Sequence, residues 1–256
     1  MSGTALGGKK GLVIGIANEH SLAYGCARQF RAAGAELAIT YLNGKAEAFV
    51  RPLAASLQSE LVMPCDVTVE GELAAVYTRI AQQWGRLDFV QHAIAFARAD
   101  DLHGRITDCS ADGFALAMRV SVHSFLQMAK LSEPLMTHGG CLLAMSYYGA
   151  DKAVAHYNVM GPVKAALEAA VRYMALELGP SGIRVNALSP GPVKTRAASG
   201  IAHFDELLER AVRDAPEHRL VTLDDIGAYA AFLVGDAARA ITGNIAYVDA
   251  GYHVVG

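Results

Sequence analysis

Short, nearly continuous apolar runs alternate with long amphipathic segments along the whole chain, and this alternation constrains the fold more than any other feature. The runs are residues 11–17, 36–41, 61–65, 87–92, 141–145, 184–189 and 245–248. Such runs suit strands buried on both faces, as in a parallel sheet covered by helices. The segments 22–33, 45–56, 71–84, 113–137, 159–178 and 223–235 between them are predicted helices. Asp224 and Asp225 near the last start suit the positive end of a helix dipole. The alternation predicts an α/β protein: a Rossmann-like, doubly wound, seven-stranded parallel sheet. No Pro/Ser-rich linker, repeat or low-complexity tract divides it, so residues 1–256 are expected to form a single domain. The stretch 190–219, rich in Pro, Gly and charge, breaks the rhythm after a strand end, where a substrate lid would sit.

Composition narrows the class further. Apolar residues make up 53% and charged residues 18%, against averages of about 45–50% and about 25%, which excludes a disordered or fibrous chain. A net charge of −3 argues against a dedicated nucleic-acid binder. Cys26, Cys65, Cys109 and Cys141 make no C-x-x-C pair and are expected to be reduced core residues. The histidines show no metal-ligand spacing, so no metal is expected. The first ten residues hold no apolar run of the secretory kind. The longest apolar stretches fall short of the ~20 residues that cross a bilayer. A soluble, cytoplasmic protein is expected.

The first strand runs into a turn of small residues, Gly15 to Ala17, and then a helix start at Ser21 and Leu22. That arrangement suits a phosphate cradle, because helix N-terminal N–H groups and small residues admit a pyrophosphate. The G-x-G-x-x-G spacing is absent, and Ser21 serves either to bond a phosphate or to cap the helix. Asp66 and Val67 close the third strand, and Asp66 suits an adenine amino group or a cap. Ala93, Ile94, Ala95 and Phe96 follow the fourth, where Ala93 and Ala95 would let a ribose or nicotinamide pack on backbone. Ligands gather beyond such carboxyl ends in open α/β sheets. Leu42, at the second strand's end, offers neither an acid for a ribose 2′-hydroxyl nor an arginine for a 2′-phosphate, although Lys45 is close. NADH is therefore favoured over NADPH.

The densest polar cluster follows the fifth strand: Ser146, Tyr147, Tyr148, Gly149, then Tyr157 and Lys164. Seven positions separate Tyr157 from Lys164, close to two turns at about 3.6 residues each, so a helix would set them on one face. The lysine is expected to lower the tyrosine's high pKa and to donate to ribose hydroxyls. Pro162 places the start of regular helix around residues 158–161.

On these residues the chain resembles the short-chain dehydrogenase/reductase superfamily and, within it, the bacterial enoyl-[acyl-carrier-protein] reductases of the FabI type, over residues 12–252. The four-residue Tyr-to-Lys spacing of most of that superfamily is missing, since Met160 stands there. Tyr157-x6-Lys164, with Tyr147 ten residues upstream, is similar to the enoyl reductase variant. So are the runs from Tyr157 to Gly161 and from Arg196 to Ile201. The resemblance implies catalytic Tyr147, Tyr157 and Lys164. It implies a nucleotide site of Gly15, Ala17, Ser21, Leu22, Leu42, Asp66, Val67, Ala93, Ile94, Lys164, Val193 and Thr195. Ala95, Phe96, Tyr147, Tyr157, Ala197, Ile201, Phe204 and Leu207 would face the substrate, the last four as a lid wall. The implied reaction is NADH-dependent reduction of a trans-2-enoyl thioester on acyl carrier protein, by a homotetramer built through the helices at 113–137 and 165–178. Three features depart from the family pattern: the lid run from Ala202 to Glu206 is acidic, Leu42 stands where a polar adenosine-ribose contact is often found, and Ala93 replaces a frequent serine. The rival readings are a related carbonyl reductase and an inactive cofactor-binding protein.

Overall fold

The computed structural model describes residues 4–195 and 204–255. In chain order the elements are β1 (Lys10–Ile14), α1 (Leu22–Ala32), β2 (Glu36–Tyr41), α2 (Gly44–Ser56), β3 (Leu61–Pro64), α3 (Glu72–Trp84), β4 (Phe89–His92) and α4 (Ala99–Leu102). They continue with α5 (Ala111–Met118), α6 (Ser124–Ser132), β5 (Gly140–Met145), α7 (Met160–Leu178), β6 (Ile183–Pro190), α8 (Phe204–Asp214), α9 (Leu223–Val234) and β7 (Ile245–Val248). Among the described residues the strands form one seven-stranded sheet in the order β3-β2-β1-β4-β5-β6-β7. Every neighbouring pair is parallel.

Successive side chains on a strand point to opposite faces, and the core divides accordingly. Leu12, Val90 and Leu142 pack with Leu73 and Ile80 of α3, Phe125 of α6 and Leu167 of α7. Their chain neighbours Val13, Phe89 and Leu143 pack with Phe30 of α1, Val50 of α2 and Leu233 of α9. Both faces of the sheet are thus apolar and covered, which accounts for the unbroken apolar runs. Helices α1 and α9 meet closely because Gly25 and Gly227 lack side chains. A Cβ on Gly25 would lie 2.7 Å from the Leu223 Cβ, and one on Gly227 2.7 Å from the Gly25 carbonyl oxygen.

Three predicted boundaries need correction. The strand expected over 11–17 stops at Ile14, because Gly15 turns the chain with φ +118°. The strand expected over 87–92 begins at Phe89; the preceding Asp88 carboxylate instead accepts the Lys10 N–H at 2.7 Å. The single helix expected over 113–137 is broken. It starts earlier, because the Ser110 hydroxyl caps α5 by accepting the Gly113 N–H at 3.0 Å. It then passes through a π-helical turn, Arg119–His123, before α6 and a short 3-10 turn, Glu133–Leu135. At the π turn the Ser124 hydroxyl lies 2.6 Å from the Val120 carbonyl, to which it donates, and 2.7 Å from His92 Nε2. Pro134 cannot extend the ladder.

Candidate active site

A parallel sheet sends all its strand exits to one edge, and the order reverses direction between β1 and β4, where such sheets bind ligands. Here the exits of those two strands touch. The Ala93 N–H donates to the Ile14 carbonyl at 2.9 Å, and a Cβ on Gly15 would lie 2.2 Å from the Ala93 carbonyl oxygen. The floor of the crevice is therefore bare backbone. Ser21 is buried, and its hydroxyl accepts the N–H groups of Ala17 and Asn18, each at 3.0 Å. It makes no side-chain bond to the first turn of α1. Ser21 thus pins the turn, leaving the Leu22 and Ala23 N–H groups where a helix N-terminus receives phosphate.

The other predicted nucleotide residues gather on the same edge. Asp66 Oδ1 accepts from the Thr68 N–H at 2.8 Å and its hydroxyl at 2.7 Å, so an adenine contact would fall to Oδ2. Val67 and Ile94 pack against one core and Ala93 and Val193 against the other. Leu42 is 55% exposed, and Asn43 beside it caps α2 by accepting from Lys45 and Ala46. Thr195 is half-buried at the end of the β6 exit, and Ala95 and Phe96 are exposed on the rim after β4. Ala197 and Ile201 lie outside the described residues. Phe204 and Leu207 lie half-buried on α8, whose inner stripe is Leu208 and Ala211. A bare-backbone floor and an open helix N-terminus fit a dinucleotide.

The β5 exit carries the residues expected to react. The rings of Tyr147 and Tyr157 meet edge to face with centroids 4.8 Å apart. Gly149 makes this possible, since a Cβ there would lie 2.5 Å from Tyr157 Cδ1. Among the described residues the buried Tyr147 hydroxyl has no hydrogen-bond partner. A cavity of about 410 Å³ opens beside Tyr157, lined also by Gly149, Val154, Asn158 and Ile106. Tyr157 stands just before α7, which begins at Met160 and carries Pro162 in its first turn. The expected helical face is therefore replaced by a helix entry, with His156 and Asn158 at φ +64° and +42°.

The expected lowering of Tyr157 by Lys164 does not occur. Burial, then the neighbouring Tyr147 and Glu168, push the Tyr157 phenol up. Lys164 Nζ donates instead to the Met145 carbonyl at 2.5 Å. Burial pulls Lys164 down to about 8, with Glu168 acting the other way. Tyr157 is thus a neutral hydrogen-bond donor.

Among known proteins, the family described as enoyl-(acyl carrier protein) reductase matches residues 15–253. The chain belongs to this family. It is 45% identical over 251 residues to "Enoyl-[acyl-carrier-protein] reductase [NADH] 1" of Rhizobium meliloti, covering 98% of this chain and 92% of that protein. The crystal structure of the Anaplasma phagocytophilum enoyl-(acyl-carrier-protein) reductase with NAD superposes with a TM-score of 0.96 at 49% identity, over 100% of this chain and 97% of that one. The Bacillus cereus enoyl-acyl carrier protein reductase, solved with NADP+ and indole naphthyridinone, gives 0.96 at 44% identity, over 98% and 99%.

In this enoyl reductase fold, several supporting residues escaped sequence reasoning. Asn158 Nδ2 donates to the carbonyls of Leu102 at 2.5 Å and Gly104 at 3.1 Å, tying the loop after α4 to the helix entry. The Ser121 hydroxyl, from the π turn, accepts the Phe96 N–H at 3.2 Å and steadies the rim after β4. Ser124 holds His92, whose imidazole burial draws down to about 3, so it stays neutral. Glu168 is buried one turn beyond Lys164 and accepts from Ser146. Only the Lys164–Glu168 spacing was a readable signal, and such pairs are common on exposed helix faces. Among the described residues no group of three or more His, Cys, Asp or Glu is placed to hold a metal, and no helix is long and apolar enough to cross a membrane.

Proposed function

We propose that this chain is an NADH-dependent enoyl-acyl-carrier-protein reductase, converting trans-2-enoyl thioesters to saturated acyl thioesters in cytoplasmic bacterial type II fatty acid synthesis. The observation that carries the reading is the edge-to-face Tyr147–Tyr157 pair at the β5 exit, with buried Lys164 bonded to the Met145 carbonyl two residues before Tyr147. Gly15, Ser21, Leu22, Asp66, Ala93 and Lys164 would hold the dinucleotide, with the other edge residues named above. When bound, NADH supplies hydride for the β-carbon of the enoyl group.

The chain's own residues manage the charge that then appears on the thioester oxygen. Tyr157 is positioned to donate its O–H there, and in a buried site that bond acts with little screening. Tyr147 offers a second hydroxyl to the same region, and Lys164 orients the nicotinamide ribose. Ala95 and Phe96 on one side and Phe204 and Leu207 on the other would wall the acyl chain under a lid at 190–219. Lys194 Nζ and Asp205 Oδ1 meet at 2.9 Å across that lid.

Cofactor choice follows from the β2 exit. Leu42 offers a 2′-phosphate nothing, while the α2 N-terminus and Lys45 offer partial compensation. With a trans-2-enoyl thioester on acyl carrier protein, kcat/KM with NADH is expected to exceed that with NADPH by roughly tenfold, about 1.4 kcal/mol. Equal or reversed preference, read by following cofactor consumption and product mass, would contradict this use of Leu42.

A homotetramer is part of the same proposal. Tyr173 and Leu176 on α7 stand 68% and 76% exposed, and large apolar side chains so placed favour burial against another copy. Sedimentation is expected to give a four-chain species. A monomer at micromolar concentration would refute it.

A further inference from the structure

Helix α7 grips the end of β5 at two consecutive residues. Lys164 Nζ donates to the Met145 carbonyl at 2.5 Å, and the Ser146 hydroxyl donates to Glu168 Oε1 at 2.5 Å. Lys164 and Glu168 sit one turn apart, 6% and 8% exposed. Tyr147 follows directly in extended backbone, φ −160° and ψ 148°, so the direction of its ring is set by where Ser146 is held. A carboxyl group in such a place is costly unless it is bonded and paired. Burial pushes Glu168 up, while the Ser146 hydroxyl, Arg172 and Lys164 favour its ionised form.

We propose that Glu168 is a positioning residue for the tyrosine–lysine pair: it holds the exit of β5 independently of Lys164, and its carboxylate keeps the buried Lys164 ammonium charged. The proposal rests on the reading that Tyr157 and Lys164 carry the reaction. The surroundings support the electrostatic half. Among the described residues Glu168 is the acid acting on Lys164, whereas the facing group from β4, His92, is neutral. Glu168 itself is faced by Arg172 on its own helix, Asp151 after the β5 exit, Tyr157 before α7 and Tyr247 on β7. Arg172 alone among these brings a positive charge, and a cation there would lower Lys164 further were Glu168 neutralised.

The test is a direct titration of Lys164 in the full chain labelled with carbon-13 at lysine Cε, its resonance assigned by its loss in Lys164→Met. In Glu168→Gln the midpoint is expected to fall by about one pH unit, and the alkaline limb of kcat to fall with it. Ser146→Ala breaks the hydrogen bond and keeps the charge, so it is expected to leave the midpoint in place while lowering kcat. Glu168→Asp is expected to restore most of the shift. An unchanged midpoint in folded Glu168→Gln would overturn the proposal. Undiminished turnover in Lys164→Met would instead overturn the catalytic reading on which it rests.

Discussion

Replacing Tyr157 by phenylalanine is expected to lower kcat by about 10²–10³-fold, the usual cost of removing one donor from an oxyanion site. NADH affinity is expected to change little, because no predicted nucleotide contact depends on the phenol hydroxyl. The separation follows from geometry. The ring of Tyr157 is fixed by Tyr147 against one edge and by the space left at Gly149. Phenylalanine keeps that packing, so the variant should fold and bind normally. What it loses is a neutral O–H in a buried place, where burial has pushed the phenol's ionisation up and kept the proton available for donation. The kcat profile should accordingly show no tyrosine ionisation near neutral pH. An alkaline limb is expected from Lys164, drawn down to about 8 by burial; activity should be full below that pH and be lost as the ammonium deprotonates above it. Steady-state kinetics beside NADH titration reads both quantities. An unchanged kcat in Tyr157→Phe would remove this residue from the mechanism.

Gly15→Ala is expected to damage both stability and cofactor binding. Residue 15 holds φ +118°, a conformation costing a side-chain-bearing residue of order 1–3 kcal/mol. The added Cβ would also lie 2.2 Å from the Ala93 carbonyl oxygen, a backbone atom fixed by the β1–β4 ladder. One of the two strand exits must move. Together these effects predict a loss of roughly 3 kcal/mol, seen as a Tm lower by on the order of 10 °C. NADH affinity should fall at least about tenfold, because the displaced atoms form the floor of the crevice. Calorimetry with and without NADH measures both. Wild-type Tm together with wild-type affinity would show that the close approach of these exits is unimportant.

The two variants mark which parts of this molecule were legible in its sequence. The apolar runs disclosed the sheet because both of its faces are buried, as the paired behaviour of Leu12 with Val13 and Leu142 with Leu143 shows. The exits of β1, β3, β4 and β5 could be picked out because small or polar residues replace apolar ones there. Features created by tertiary bonds were not legible. The π turn exists where Ser124 meets His92 across the core, and nothing in the local pattern of 113–137 announces it. The partner of Lys164 is a backbone carbonyl, which no side-chain pattern can reveal. Ser21 occupies the position of a helix cap yet spends its hydroxyl on the preceding turn. Glu168 reads as an ordinary helical acid until its burial and its bond to Ser146 are seen. The Tyr157–Lys164 spacing predicted a shared helical face that the structure does not have, since Asn158 turns with positive φ between the tyrosine and the helix.

The most direct measurement offers the wild-type chain NADH together with a crotonyl thioester or an acetoacetyl thioester at equal concentration, and follows NADH consumption. An enoyl reductase with two tyrosines and a buried lysine at this sheet edge should oxidise NADH with the crotonyl substrate, releasing the butyryl thioester, and leave the acetoacetyl substrate untouched. Oxidation with the acetoacetyl thioester alone, or NADH binding without turnover of either, would contradict the account.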